Sequence, residues 1–310
     1  MKTVFVFPGQ GSQFAGMGKS LAEAFPVARQ IFERADAALG YSLSKLCFEG
    51  PEEQLKQTEY TQPALVTVSV AAFEVLRQAG LKPDAVAGHS LGEYSALVAA
   101  GSIDLEPALR LVRHRGRFMQ EAVPQGVGAM AALLKLPEDA LAGVLEAAAQ
   151  GEIVSAANLN SPEQVVIAGH AGAVERAMEL AKAAGARRVV LLPVSAPFHC
   201  ELMRPAQRQL EPKLRDAEFQ RLRFPLVNNW AARRITQGDD ARTGLLEQIP
   251  NPVRWTESVR ALAADRWVEV GPGAVLGGLI KQILPGANVQ KFGEAGDLQA
   301  VREFLGARAI

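Results

Sequence analysis

The sequence predicts an α/β protein: a core built on a parallel sheet, interrupted by a smaller βαββαβ unit. Three observations predict it. Short apolar runs alternate with helical runs through the first 120 residues, the pattern of strands joined by crossover helices. From about residue 124 to 195 the order becomes strand, helix, strand, strand, helix, strand. The α/β alternation then resumes, so the middle stretch reads as an insertion.

The elements follow in order. Residues 2–7 form a first strand, with Thr3 to Phe7 an unbroken run of β-branched and aromatic side chains. Pro8-Gly9-Gln10-Gly11-Ser12-Gln13 is a glycine-rich turn. Helical patterns cover 14–24 and 26–39. Thr61-Gln62-Pro63 opens a long helix to about residue 79, with Pro63 in the first turn, where its missing N–H does no harm. A strand at 84–88 leads to helices at 90–100 and 104–120. In the insertion the strands are 128–134, 153–159, 164–168 and 188–192, the helices 138–149 and 171–184, with a turn at Asn160-Ser161-Pro162. That order is a split βαβ, or ferredoxin-like, unit. Strands at 224–227 and 267–270 follow, with helices near 201–214, 240–248, 255–264 and 274–284. The division expected is a core of 1–123 and 196–310 around an inserted small domain of 124–195.

The chain has 310 residues, 48% hydrophobic and 21% charged, ample for a large core. Its 33 basic and 33 acidic residues cancel, so nothing suggests nucleic acid or a membrane surface as partner. The N-terminal apolar run is too short for a signal peptide, and no run approaches the ~20 residues of a membrane span. Cys47 and Cys200 are too few for a disulfide framework or a cysteine metal site. No cofactor or metal is expected, and the location expected is the cytoplasm.

Chemistry enters at Gly88-His89-Ser90-Leu91-Gly92. A short apolar strand runs into Gly-x-Ser-x-Gly and a helix-forming run follows, the layout of a nucleophile elbow. The sharp turn lifts Ser90 Oγ clear of the backbone, and the new helix turns free N–H groups toward it. A serine hydroxyl needs a base, and there are four histidines. His89 adjoins Ser90, but neighbours on a strand point to opposite faces, so it shapes the pocket. His114 lies mid-helix between arginines and reads as a surface or boundary residue. His170 opens a helix and reads as a cap or a solvated group. By elimination His199 is the expected base, in the Pro-punctuated loop Pro193-Val194-Ser195-Ala196-Pro197-Phe198-His199-Cys200. No acidic residue stands out after residue 200 to orient the imidazole. A carbonyl can do that work, and Gln248 stands at a helix end, where carbonyls are free.

Arg115 is out of place. On helical spacing its neighbours are Leu111, Val112, Phe118 and Met119, so it projects from the apolar face. A buried guanidinium needs an anion. Two readings stay open here: an internal salt bridge, or an anionic group of a substrate held bidentately near Ser90.

Seven segments together resemble the malonyl-CoA:acyl carrier protein transacylase family over nearly the whole chain. They are Phe7 to Gln13, Thr61-Gln62-Pro63-Ala64, Gly88 to Tyr94, Arg115-Gly116 with Met119-Gln120, Phe198-His199, Asn251-Pro252-Val253 with Trp255, and Val270-Gly271-Pro272-Gly273. The resemblance implies a hydrolase-like core with a ferredoxin-like small domain and the active site in the cleft between them. It implies Ser90 as acylated nucleophile, His199 as base and Arg115 as partner of the malonyl carboxylate. It implies the Gln10 and Leu91 amides as oxyanion hole, the Gln248 main-chain carbonyl as the group that orients the histidine, and Gln62 as a pocket residue. In related polyketide acyltransferases an aromatic residue at the Phe198 position accompanies malonyl rather than α-methyl units. Malonyl-CoA and acyl carrier protein are the implied partners, and a monomer the implied state. Carrier proteins are acidic, so a basic rim is expected, with Arg110, Arg113, Arg117, Arg204 and Arg208 as candidates.

Three rivals stand beside this reading. A serine thioesterase predicts a late histidine, and none follows His199. A binding module predicts no covalent adduct at Ser90. A stand-alone acyltransferase of a polyketide synthase shares all the chemistry and differs only in its carrier.

Overall fold

A computed structural model describes residues 1–194 and 196–306. Ser195, expected in the junction loop and at the end of the insertion, lies outside the described residues, as do 307–310. In chain order the first half holds β1 (Thr3–Phe7), α1 (Lys19–Ala24), α2 (Pro26–Leu39), α3 (Leu43–Glu49), α4 (Glu52–Leu55), α5 (Thr58–Gln78), β2 (Ala85–Gly88), α6 (Gly92–Ala99) and α7 (Leu105–Glu121). Next come β3 (Gly128–Leu134), α8 (Ala140–Ala149), β4 (Val154–Ser161), β5 (Gln164–His170), α9 (Ala171–Ala183) and β6 (Arg188–Leu191). The chain ends with α10 (Arg204–Asp216), β7 (Leu226–Val227), β8 (Arg234–Ile235), α11 (Gly238–Glu247), α12 (Trp255–Leu262), β9 (Arg266–Val270), α13 (Val275–Ile283), β10 (Asn288–Phe292) and α14 (Leu298–Leu305).

Two sheets result. The larger runs β10-β9-β1-β2-β7-β8, parallel except for β8, which turns back antiparallel on β7. The smaller runs β4-β5-β3-β6 and is antiparallel throughout. The central strand β1 is buried on both faces. Phe5 and Phe7 join the cluster that holds α5, α6 and α7, while Val4 and Val6 join Trp255 and Trp267 on the other side. Helix α5 is buried nearly all round, as a helix in the middle of a large core must be. A short parallel bridge ties β4 of the small sheet to the segment before α12: Leu159 N–H donates to the Val253 carbonyl and Val253 N–H to the Ala157 carbonyl, each at 2.9 Å.

Several expectations need correction. Residues 15–18 are a turn, with Gly16 and Gly18 at φ 106° and 76°, so the first helix is confined to α1. The long helix starts at Thr58, and Pro63 lies inside it rather than in its first turn, removing the helical bond to the Glu59 carbonyl. The elbow helix begins at Gly92, because Ser90 itself is in a left-handed turn. Strand β4 continues through Asn160 and Ser161, and the hairpin turn is Pro162-Glu163. His170 sits at the helix N-cap position but does not cap α9; its Nδ1 accepts the Ile153 N–H at 2.9 Å. Helices α3, α4 and α14 and strands β8 and β10 were not foreseen. All are eight residues or shorter, too short to show a clear period.

Candidate active site

The elbow stands where β2, in the middle of the large sheet, delivers its chain to α6. Ser90 has φ 51°, a conformation rare outside glycine. The turn closes only because Gly88 and Gly92 have no side chains. A Cβ on Gly88 would lie 1.9 Å from the Gly92 carbonyl atoms, and one on Gly92 2.0 Å from the Phe7 oxygen. Asn229 pins the turn from outside: its Oδ1 accepts the Ser90 N–H at 2.6 Å, and its Nδ2 donates to the Gly88 carbonyl at 2.7 Å.

Ser90 Oγ and His199 Nε2 are 2.7 Å apart. His199 Nδ1 lies 2.9 Å from the Gln248 main-chain oxygen. That oxygen only accepts, so Nδ1 carries the ring proton and Nε2 is left to accept from the serine hydroxyl. Gln248 offers its carbonyl because it caps the end of α11. His199 has φ 59°, a second strained non-glycine residue at one site. Burial, with the Arg115 charge beside it, pulls the imidazole down to about 3.

Arg115 is 1% exposed. One Nη donates to Ser90 Oγ at 3.1 Å and to Gln248 Oε1 at 2.8 Å. Its Nε has no partner among the described residues, and the guanidinium lies over the Tyr94 ring at 5.7 Å. No ion pair of Arg115 occurs among the described residues, so the direct salt bridge left open by the sequence is not formed.

A cavity of about 140 Å³ lies over these groups, lined also by Gln10, Gln62, His89, Asn158 and Phe198. It adjoins a cleft of about 820 Å³ that shares Gln10, Leu192, Val194 and Phe198 with it. Gln62 is buried with no partner for its Oε1 among the described residues, and Gln10 Nε2 reaches Thr58 Oγ1 at 3.4 Å. Leu91 opens α6 as its N-cap residue. His89 lines the cavity with its Nε2 on Asn160 Oδ1 at 2.7 Å and its ring edge-on to Trp255. Of the basic candidates, Arg110, Arg113 and Arg117 line a separate cavity beside α2 with His114. Only Arg117 also borders the larger cleft, and Arg204 and Arg208 border neither cavity of the site. Among the described residues no group of three or more His, Cys, Asp or Glu could hold a metal, and no helix is long and apolar enough to cross a membrane.

The acyl transferase domain profile matches residues 4–299. The malonyl CoA-acyl carrier protein transacylase of Escherichia coli K12 is 50% identical over 303 residues, which is 96% of this chain and 98% of that one. The chain belongs to the malonyl CoA-acyl carrier protein transacylase family. Solved structures of such transacylases superpose closely on it. An acyl carrier protein S-malonyltransferase from Vibrio cholerae has a TM-score of 0.95 at 48% identity, covering 97% of this chain and 100% of that one. A malonyl-transacylase solved in complex with its type II PKS acyl-carrier protein has a TM-score of 0.95 at 46% identity, covering 98% and 99%.

Sequence reasoning missed three residues of this transacylase-family site. Asn229 and Asn160 give no local signal, because each meets its partner across the fold. Glu93 did have one: an acid on an otherwise apolar helix, three residues past the serine.

Proposed function

We propose that the chain moves a malonyl group from malonyl-CoA to the phosphopantetheine thiol of an acyl carrier protein, through a malonyl-Ser90 intermediate. The observation that carries this is Arg115: a buried guanidinium without an ion pair among the described residues, 3.1 Å from the serine oxygen. A carboxylate that meets it there is one short acyl chain away from the nucleophile.

In the first half-reaction the malonyl carboxylate pairs with Arg115. Ser90 Oγ attacks the thioester carbonyl as its proton passes to His199 Nε2. The main-chain N–H groups of Gln10 and Leu91 hold the oxyanion, each worth on the order of 10²–10³ in rate in comparable sites. The carbonyl re-forms, the C–S bond breaks, and CoA leaves as the thiol with the proton from His199. In the second half the carrier's thiol gives its proton to His199 and attacks the ester. The C–Oγ bond breaks and Ser90 recovers the proton. The Gln248 carbonyl holds the imidazole throughout, Gln62 and His89 line the pocket, and the Phe198 ring limits room beside the acyl carbon. One chain supplies every group, so a monomer suffices, and no step calls for a metal or cofactor.

The antiparallel order β4-β5-β3-β6 with helices α8 and α9 supports reading 124–195 as a ferredoxin-like insertion in a hydrolase-like core of 1–123 and 196–310. The cleft at Leu192, Val194 and Phe198 is then the entrance for the pantetheine arm. A thioesterase is disfavoured, because the histidine on Ser90 comes from this junction rather than from late in the chain.

Intact-protein mass after mixing with malonyl-CoA or acetyl-CoA tests the proposal. Wild type is expected to hold one malonyl group and little acetyl. Arg115→Ala is expected to lose about 10- to 100-fold in malonyl acylation, the worth of a charge-assisted bond, with acetyl acylation unchanged or raised. Release of CoA from both esters with no adduct would point to hydrolysis instead.

The folded imidazole titrates below its unfolded value, so His199 is neutral, and competent as base, down to about 3. Acylation by malonyl-CoA, followed as a burst of CoA, is therefore expected to show no loss between about pH 7 and 5, where an ordinary histidine would protonate. A fall centred on the ordinary histidine value would refute the depression.

A further inference from the structure

One buried charge near Ser90 takes no part in the steps above. Glu93, on α6, is completely buried and makes no ion pair among the described residues. Its Oε2 accepts from the Asn229 N–H at 3.0 Å and from Gln248 Nε2 at 2.8 Å, while its Oε1 has no partner among the described residues. Arg115, on α7, is likewise buried without an ion pair. Between the two stands the Gln248 side chain. Its Oε1 takes Arg115 and its Nε2 gives to Glu93.

The amide is thus aligned between a cation and an anion. The guanidinium requires an acceptor and the carboxylate a donor, so the two charges fix which way the amide points. Each charge alone would be costly in this interior, and together they make a neutral set. The remaining contacts of the set run to the elbow itself. Gln248 Nε2 also donates to the Ser90 carbonyl at 3.1 Å, and Asn229, held by Glu93, carries the Ser90 N–H.

We propose that Glu93 is the counter-charge of Arg115, acting through the Gln248 side-chain amide, and that it sets how tightly the free enzyme takes a carboxylate-bearing acyl group. Glu93 is a positioning residue. The counter-charge stands on geometry alone, whereas its effect on the acyl group rests on the malonyl transfer proposed above.

A substrate carboxylate on Arg115 leaves the buried set with one excess negative charge. Glu93 is placed to relieve it by taking a proton, since burial raises its carboxyl to about 7. The ionisable groups facing Glu93 are Arg115 from α7 and Tyr94 from its own helix. Asn228, Asn229, Gly244 and Gln248 contribute only neutral groups.

The test is a double-variant cycle on the full chain: Glu93→Gln, Arg115→Met and both together, read as Tm. Glu93→Gln strands the buried guanidinium and is expected to lower Tm by about 5 °C or more, whereas Arg115→Met lets Glu93 take a proton and is expected to cost less. The double variant strands neither and is expected to lie above the lower of the two singles. Additive losses would overturn the counter-charge. If Glu93→Gln alone is insoluble, a soluble double variant supports the proposal and an insoluble one refutes it. The second readout is kinetic. Glu93→Gln keeps an oxygen for Gln248 but removes the repulsion of a bound carboxylate. KM for malonyl-CoA is expected to fall by about tenfold relative to KM for acetyl-CoA. An unchanged or raised ratio would overturn the effect on the acyl group. Should wild type take no malonyl group, the proposed function fails, and the Tm cycle still decides the counter-charge.

Discussion

Ser90→Ala is expected to abolish the acyl adduct and to lower malonyl transfer by on the order of 10⁴–10⁶. The magnitude follows from what the hydroxyl does. It is the atom that forms the covalent bond, and among the described residues it is the side chain hydrogen-bonded to His199 Nε2, at 2.7 Å. The residual rate comes from binding and oxyanion contacts alone. His199→Ala is expected to lose a comparable amount, and the double variant no more than either single, since base and nucleophile act as one unit. The measurements are adduct mass and the rate of malonyl-carrier formation, with Tm to show that the fold survives. Transfer by Ser90→Ala at more than about a tenth of the wild-type rate would remove the covalent mechanism.

Gly88→Ala is expected to be the most damaging single methyl in the chain. Its Cβ would fall 1.9 Å from both carbonyl atoms of Gly92, and nothing there is a side chain that can swing aside. Either β2 shifts out of register with β1, where Gly88 pairs with Phe7, or the elbow opens. Both outcomes carry Ser90 away from His199. A loss above about 4 kcal/mol is expected, beyond the ordinary range for overpacking because backbone rather than side chain must yield. Gly92→Ala should behave alike, its Cβ meeting the Phe7 oxygen at 2.0 Å. Thermal unfolding and adduct formation check both. A near-native Tm with normal adduct formation would mean that the elbow is looser than its packing.

Legibility differed from residue to residue. The elbow was legible because Gly-x-Ser-x-Gly is a local motif whose strand and helix adjoin it. Arg115 was legible because helical periodicity puts it on an apolar face, and it is indeed buried. His199 was legible because histidines are scarce in this chain. Apolar spacing carries the first helix back to residue 14, but Gly16 and Gly18 at positive φ hold a turn there, which periodicity does not register. Strand β10 went unseen because it pairs with one neighbour only and keeps polar side chains on an edge.

By itself, the sequence determined the inventory of chemistry: a serine on a sharp turn, a histidine to serve it, a cation on an apolar helix face and no acid to complete a triad. Those follow from residue type and short spacing, which act within a few residues. Only the tertiary structure decided which groups meet. The Ser90–His199, Arg115–Gln248 and Gln248–Glu93 contacts join residues 109, 133 and 155 positions apart. The fold also decided that Arg115 meets an amide rather than a carboxylate, and that Glu93 is the carboxylate on the other side of that amide. Such pairings depend on how α6, α7 and the end of α11 pack around one strand, and no local spacing encodes that.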